Sequence, residues 1–228
     1  MSADPLPDRT IEYFYSVRSS FTYLGAARLN ALAARRALTL RHHPIDLGVV
    51  ISSFDRFEGQ KTADRPHAGA RVYEKDPIRE NYTRSEYRRW SRRLGIAINV
   101  DPRHHYGARE LPSGAVILAQ RRRLDADALS HAILQALWRD DRDIADPAVI
   151  AALLRDVGID VDADAFVAEA LGADVQAEFR QNSAEAVRRG VFGSPSYIWS
   201  GEIFFGQDRL DFLEEAVAGT PAGGDPAA

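Results

Sequence analysis

Two polar side chains in this sequence stand directly before helical patterns, where a side chain can act on whatever lies at the end of the helix. Ser19 precedes a pattern over residues 21–37, and Asp208 precedes one that reaches Val217. A hydroxyl or a carboxylate in this place caps the helix by accepting a hydrogen bond from its first amides. Spacing alone therefore favours a capping role for both residues.

The chain has no cysteine among its 228 residues. This excludes disulfides, thiolate metal sites, a Cys-x-x-Cys redox pair and a cysteine nucleophile. Any thiol chemistry must therefore use sulfur that a small molecule brings. The histidines include two adjacent pairs, His42-His43 and His104-His105. Because neighbouring side chains on a strand point to opposite faces, such a pair does not chelate, and we predict no metal site.

Basic residues cluster on two helical patterns, at 88–93 and 121–123. Most such runs are solvated helix faces. The alternative is that one of these arginines meets a substrate carboxylate.

The C-terminal stretch predicts strand, turn, strand and helix. Residues 196–199 and 202–205 are rich in aromatic and β-branched residues, and Ser200-Gly201 between them suits a tight hairpin. Pro195 stands just before the first of these strands. Spacing alone favours a trans Ser194-Pro195 bond, since only ~5–6% of X-Pro bonds in folded proteins are cis.

The N-terminal half predicts a βαβ unit: a strand at 11–15, a helix at 21–37 and a second strand at 40–45 that ends in an Asp46-Leu47-Gly48 bend. Its strands should be parallel. Residues 51–80 and 96–112 read as irregular segments. Further helical patterns cover 82–94, 114–123, 125–139, 146–157, 162–171 and 173–189.

These elements predict an α/β protein in two parts. Residues 9–50 and 190–218 would form a thioredoxin-like domain with βαβ and ββα halves, and 81–189 an inserted all-helical domain. A loop at 51–80 would connect them, and the Gly-, Pro- and Ala-rich residues 219–228 would be a disordered tail.

Net charge and the distribution of apolar residues limit the classes of partner that this protein can bind. The net charge of −4 gives no reason to expect nucleic-acid binding. No apolar run approaches the ~18 residues that span a bilayer, and the polar, proline-rich start is unlike a secretory signal. We therefore expect a cytoplasmic protein without a membrane partner.

Several motifs resemble one known family. They are residues 15–24 (YSVRSSFTYL), 190–195 (GVFGSP) and 206–211 (GQDRLD), with 139–147 (RDDRDIADP) and the helix around Trp90 in support. Together they resemble the 2-hydroxychromene-2-carboxylate isomerases, relatives of kappa-class glutathione transferases and DsbA oxidoreductases. The resemblance covers nearly the whole chain and implies a thioredoxin-like fold and a homodimer.

The resemblance also implies a glutathione site. Ser19 matches the serine that replaces the oxidoreductases' cysteine, so its hydroxyl would hold the glutathione sulfur. Ser194 matches the residue before a cis-proline, here Pro195, and its backbone would pair with the cysteinyl part. The remaining positions that the resemblance assigns to glutathione are Gln207, Asp208, Arg209, Gln60 and Lys61.

The activity implied is a glutathione-dependent isomerisation of an aromatic or polyketide-like conjugated compound. Ser20 and Ser194 depart from the proline and the apolar residue usual in the family, and we interpret this as a change of substrate. Two alternatives stay open: a kappa-like transferase, and a non-catalytic member that binds a thiol or a metabolite.

Overall fold

A four-stranded sheet joins the two ends of the chain. The computed structural model describes residues 9–54 and 77–219. The strands are β1 (Thr10–Tyr15), β2 (Thr39–Pro44), β3 (Ser196–Trp199) and β4 (Glu202–Phe205). Their order is β2-β1-β3-β4; β1 runs parallel to β2 and antiparallel to β3, and β4 is antiparallel to β3. The sheet therefore unites the two predicted halves of the thioredoxin-like part.

Local geometry follows the predicted patterns at both ends. Helix α1 (Ser20–Arg36) connects β1 to β2, which confirms the βαβ unit. All six residues of β1 are buried, because it is a central strand of the sheet. The β3–β4 turn is the predicted tight hairpin, with φ of 47° at Ser200 and 85° at Gly201.

A block of helices lies between the two halves. The helices are α2 (Leu47–Phe54), α3 (Pro77–Leu94), α4 (Glu110–Arg121), α5 (Ala126–Trp138), α6 (Pro147–Asp156), α7 (Ala163–Ala170) and α8 (Ala173–Arg188). Helix α5 packs on α1, while α4 packs on α5, α7, α8 and β2. Every residue of α4 from 111 to 119 is buried, so α4 is the centre of this block. After β4 come a 3₁₀ turn (Gln207–Arg209) and α9 (Leu210–Gly219).

Three predicted boundaries are wrong, each for a local reason. Asp46 does not form a bend; its carboxylate caps α2 by accepting from the Gly48 amide at 2.9 Å. Helix α2 therefore occupies the described start of the segment predicted as a loop at 51–80. Helix α3 occupies its described end, because Pro77 suits the first position of a helix. Helix α4 begins at Glu110 because Pro112 lies in its first turn, where proline is tolerated. The division into two domains stays a prediction.

Polar side chains fasten the helical block to the sheet. The Gln120 side chain pairs with the edge strand β2: its Oε1 accepts from the His42 amide at 2.6 Å, and its Nε2 donates to the His42 carbonyl at 3.1 Å. The His42 ring spans 2.6 Å from Nε2 to Asp127 Oδ1 and 2.9 Å from Nδ1 to the Tyr15 hydroxyl. Burial raises the pKa of that hydroxyl well above its usual range, so this Asp-His-Tyr series is a structural brace rather than a nucleophile.

The neighbouring histidine lies on the opposite face of the sheet, as predicted for adjacent strand residues. His43 stacks on Phe14 with ring centroids 4.4 Å apart and meets Glu12 at 3.6 Å. Glu12 also accepts from Arg189 at 2.8 Å. Within residues 9–54 and 77–219, no helix combines the length and the apolar character that crossing a bilayer takes.

Candidate active site

The structure brings the two predicted serines together at the start of α1. Ser19 is the N-cap of this helix, and its Oγ accepts from the Thr22 amide at 3.2 Å. The same hydroxyl donates to the Ser194 carbonyl at 3.4 Å. The Ser194-Pro195 bond is cis. The trans bond predicted from spacing is therefore wrong, and the cis bond implied by the family resemblance is confirmed.

The Ser194 side chain is engaged within the protein. Its Oγ accepts from the Ser16 amide at 2.9 Å and shares a hydrogen bond with Thr22 Oγ1 at 3.0 Å. These contacts tie the segment before β3 to the first turn of α1. The Ser194 hydroxyl is therefore bonded within the protein, and it is the Ser194 carbonyl that lies next to the Ser19 hydroxyl.

A cleft of about 210 Å³ opens beside this pair. No aspartate or glutamate lines it among the residues that the structure describes, whereas two arginines do. The starts of α1, α2 and α4 border it, and helix N-termini carry partial positive charge. The cleft therefore suits an anion. Its lining comprises Ser16, Arg18, Ser19, Ser20, Phe21, Leu47, Tyr87, His105, Arg109 and Ser194.

One wall of the cleft is aromatic. The Tyr87 ring meets Phe21 and Trp138 edge-on, each with centroids 5.7 Å apart. Trp138 in turn contacts the His105 ring, with centroids 4.9 Å apart. Because Trp138 is buried in the core, this series of rings connects the cleft to rigid packing. Such a wall can accommodate a flat conjugated ligand.

His105 contributes a neutral ring to the same wall. Burial and the nearby Arg18 cation lower the pKa of its imidazole to about 4, although a hydrogen bond to the Arg18 backbone opposes the shift. At pH 7 the imidazole is therefore uncharged. It can exchange a hydrogen bond with a ligand without adding charge to the cleft.

Comparison with known proteins assigns the family. The profile of the DSBA-like thioredoxin domain matches residues 10–218, nearly the whole described chain. The chain belongs to the DSBA-like thioredoxin domain family. This confirms the predicted thioredoxin-like fold with a helical insertion.

Relatives of this DSBA-like chain carry one recurring name. The 2-hydroxychromene-2-carboxylate isomerase of Sphingobium xenophagum is 26% identical over 207 residues, covering 90% of this chain and 96% of the relative. The one from Pseudomonas sp. (strain C18) is 25% identical over 216 residues, covering 94% and 93%. The predicted resemblance to these isomerases is confirmed.

Solved structures show the same fold. A 2-hydroxychromene-2-carboxylate isomerase structure aligns with a TM-score of 0.72 at 21% identity, over 92% of this chain and 94% of the other. The cytosolic disulfide reductase DsbM from Pseudomonas aeruginosa, solved with GSH, aligns with a TM-score of 0.62 at 18% identity, over 92% and 99%.

The C-terminal turn of this DSBA-like chain lies outside the lining of the cleft. Gln207 is 2% exposed, and the Arg28 guanidinium occupies both its side-chain and its backbone oxygen. Asp208 is exposed and pairs with its neighbour Arg209 at 2.8 Å. The predicted capping role of Asp208 is wrong, because it lies inside a 3₁₀ turn and α9 starts at Leu210. The roles of these three residues toward glutathione stay predictions.

Other predicted positions fall elsewhere. Gln60 and Lys61 lie outside the described residues. The two basic clusters, predicted as solvated helix faces with a carboxylate-binding arginine as the alternative, do not line the cleft. Arg121 and Arg122 pair with Glu178 and Glu169 on the surface.

Sequence reasoning missed Arg18 and Arg109 as lining residues. Arg18 stands beside Ser19 in the first motif, which was a usable signal. Arg109 had no such signal, because the helix that it precedes was predicted to begin at residue 114, whereas α4 begins at Glu110.

The low pKa of His105 predicts a pH-dependent stability. The folded imidazole binds its proton near pH 4, and the unfolded one near pH 6.5. As pH falls from 6.5 to 4, the unfolded chain takes up a proton on this imidazole before the folded chain does, so His105 alone should lower the unfolding free energy by on the order of 2 kcal/mol across this range. Urea unfolding across this range should show a shallower decline for His105→Asn than for the wild type. His104→Asn should keep the wild-type slope because His105 is still present; equal slopes in all three proteins would contradict the assignment.

Proposed function

We propose that this protein is a glutathione-dependent isomerase of the 2-hydroxychromene-2-carboxylate isomerase type, acting on an aromatic or polyketide-like conjugated substrate. The observation that carries the proposal is the Ser19 hydroxyl, which lies at the start of α1 beside the Ser194 carbonyl, in a cleft lined by arginines and an aromatic wall. The names of the relatives support the reaction type, and the GSH in the DsbM structure supports the cofactor.

The donor groups present fit a thiol cofactor. The Ser19 hydroxyl can turn from the Ser194 carbonyl, 3.4 Å away, to a ligand sulfur. The Ser20 and Phe21 amides belong to the first turn of α1, where a helix supplies no carbonyl for them. The chain has no cysteine that could form a mixed disulfide in the cleft. Ser19 and the Ser194 backbone would hold the cysteinyl part of glutathione.

Glutathione, held by Ser19 and the Ser194 backbone, would supply a thiolate for reversible addition to a conjugated carbon, which would allow rotation about the former double bond. The protein's part is electrostatic and steric. The Ser19 hydroxyl donates to the sulfur, and the α1 dipole with the Arg18 cation favours the thiolate over the thiol. The cleft also has an apolar lining, formed by Leu47, Phe21 and Tyr87, against which the conjugated part of a substrate would pack.

Turnover of 2-hydroxychromene-2-carboxylate tests the proposal. With glutathione present, the purified protein should convert it to a product of unchanged mass and leave the glutathione unconsumed. S-methylglutathione, which has no free thiol, should not support the reaction. A product heavier by one glutathione would indicate a transferase. Glutathione binding without turnover of 2-hydroxychromene-2-carboxylate or of related conjugated aromatic and polyketide-like compounds would indicate a non-catalytic member. Either result would overturn the isomerase. Sedimentation of the same sample tests the predicted homodimer.

A further inference from the structure

The cleft that contains Ser19 is also lined by a cation that the resemblance did not assign. Arg109 is the N-cap of α4 and lines the cleft with Leu47. We infer that Arg109 is the specificity-determining residue of this site: its guanidinium binds the carboxylate of a flat aromatic substrate. The inference rests on the proposed function and extends it to the recognition of the substrate.

The Arg109 guanidinium is oriented by Asp46. Its Nη1 donates to Asp46 Oδ1, the oxygen that also accepts from the α2 amides of Gly48 at 2.9 Å and Val49 at 3.3 Å. Asp46 therefore holds the guanidinium by one nitrogen, and the two α2 amides fix the carboxylate in place. Among the described residues, Asp46 is the one that accepts from this guanidinium, so Nε and Nη2 of the planar group are available for a ligand.

The space in front of Arg109 suits a particular ligand shape. Leu47 and the Phe21–Tyr87 rings line the same cleft, and no side-chain carboxylate of the described residues does. A carboxylate on a flat ring would pair with the guanidinium while the ring contacts these apolar groups. An arginine can hold such a carboxylate with two parallel hydrogen bonds, which a lysine cannot do.

Arg18 is the less suitable of the two cations. Its Nη1 donates to the Gly107 carbonyl, and its backbone is bonded to the His105 ring. It therefore fastens the segment around residues 104–107 to the start of α1. Its position next to Ser19 suits the thiol end of the site, whereas Arg109 stands on a different helix.

Glutathione carries carboxylates of its own, so the test must distinguish binding of the substrate carboxylate by Arg109 from binding of a glutathione carboxylate. Chromone-2-carboxylate is a stable flat carboxylate, and chromone-2-carboxamide is its uncharged partner. By calorimetry with saturating glutathione, the wild type should bind the carboxylate about 10- to 100-fold more tightly than the carboxamide. Arg109→Gln should reduce this ratio to about one, with an unchanged Kd for glutathione. Arg109→Lys should give an intermediate ratio.

The ratio of the two dissociation constants, measured for the carboxylate and the carboxamide in one variant, does not depend on how much of the sample is folded. Arg103→Gln is the matched control: Arg103 pairs with Asp141 at 2.7 Å outside the cleft, so the ratio should stay as in the wild type. The inference is overturned if the wild type does not prefer the carboxylate, if Arg109→Gln keeps the preference, or if Arg109→Gln weakens glutathione instead.

Failure of the inference can be distinguished from failure of the proposed function. Glutathione-dependent turnover with an unchanged ratio in Arg109→Gln would overturn the inference and leave the isomerase in place. If the ratio depends on Arg109 but no glutathione-dependent turnover is found, the proposed isomerase is overturned and carboxylate binding by Arg109 stands.

Discussion

Ser19→Ala should lower glutathione-dependent turnover about 10²-fold, the loss typical of removing one donor that stabilises a developing or bound anion. The hydroxyl lies at the positive end of α1, where it would donate to sulfur and lower the pKa of the thiol. Alanine leaves the helix dipole and Arg18 in place, so activity should fall without vanishing. Ser19→Thr keeps a hydroxyl and should retain most of the turnover, as measured with 2-hydroxychromene-2-carboxylate.

The same substitution removes a helix cap, because Ser19 Oγ accepts from the Thr22 amide. Loss of that cap should lower the unfolding free energy by about 1 kcal/mol. Asp162→Ala is the matched control: Asp162 caps α7 by accepting from the Ala165 amide at 3.0 Å, and it does not line the cleft. It should lose similar stability and keep its turnover. Wild-type turnover in Ser19→Ala would remove this hydroxyl from the mechanism.

Gly114→Ala should lower the unfolding free energy by about 3 kcal/mol, the largest stability effect that we expect. A Cβ at this position in α4 would lie 2.1 Å from the Ala170 carbonyl oxygen and 2.8 Å from Gln176 Nε2. The nearest obstacle is backbone at the end of α7, so no rotamer change can relieve the clash. Gln176 would also lose its hydrogen bonds to the Ala170 and Glu110 carbonyls, at 2.7 and 3.1 Å.

The matched control is Gly219→Ala at the end of α9, where a Cβ would meet nothing within 4 Å. Alanine should be neutral or slightly stabilising there, because it loses less backbone entropy than glycine. Urea unfolding followed by circular dichroism measures both variants. Equal stability of the two would mean that α4 and α7 do not pack as closely as the structure shows.

Polar contacts between the helical block and strand β2 position one border of the cleft. Gln120 bonds the edge strand β2 through both its side-chain groups, and Asp127 bonds His42 on that strand. Because β2 leads directly through Asp46 into α2, these contacts fix one border of the cleft. Arg109 starts α4, the helix that carries Gln120.

Local sequence signals predicted much of this fold. The helical patterns at 125–139, 146–157 and 162–171 and the Ser200-Gly201 turn depend on interactions between near neighbours, and the structure has these elements where the sequence placed them. The absence of cysteine is enough by itself to exclude a dithiol mechanism. The motifs at 15–24, 190–195 and 206–211 together carried the family resemblance, because the residues within each motif are close together in the chain.

Tertiary structure decided the rest. Ser19 and Ser194 meet only because β1 and β3 are adjacent in the sheet, and spacing along the chain contains no such distance. The low pKa of His105 comes from burial against Trp138 and from Arg18, groups that other segments of the chain contribute. The orientation of Arg109 depends on Asp46, which stands at the start of another helix and accepts a hydrogen bond from its guanidinium. Sequence determines the local elements through near-neighbour interactions, whereas a cleft is made of groups from separate elements, and only their packing determines which groups meet.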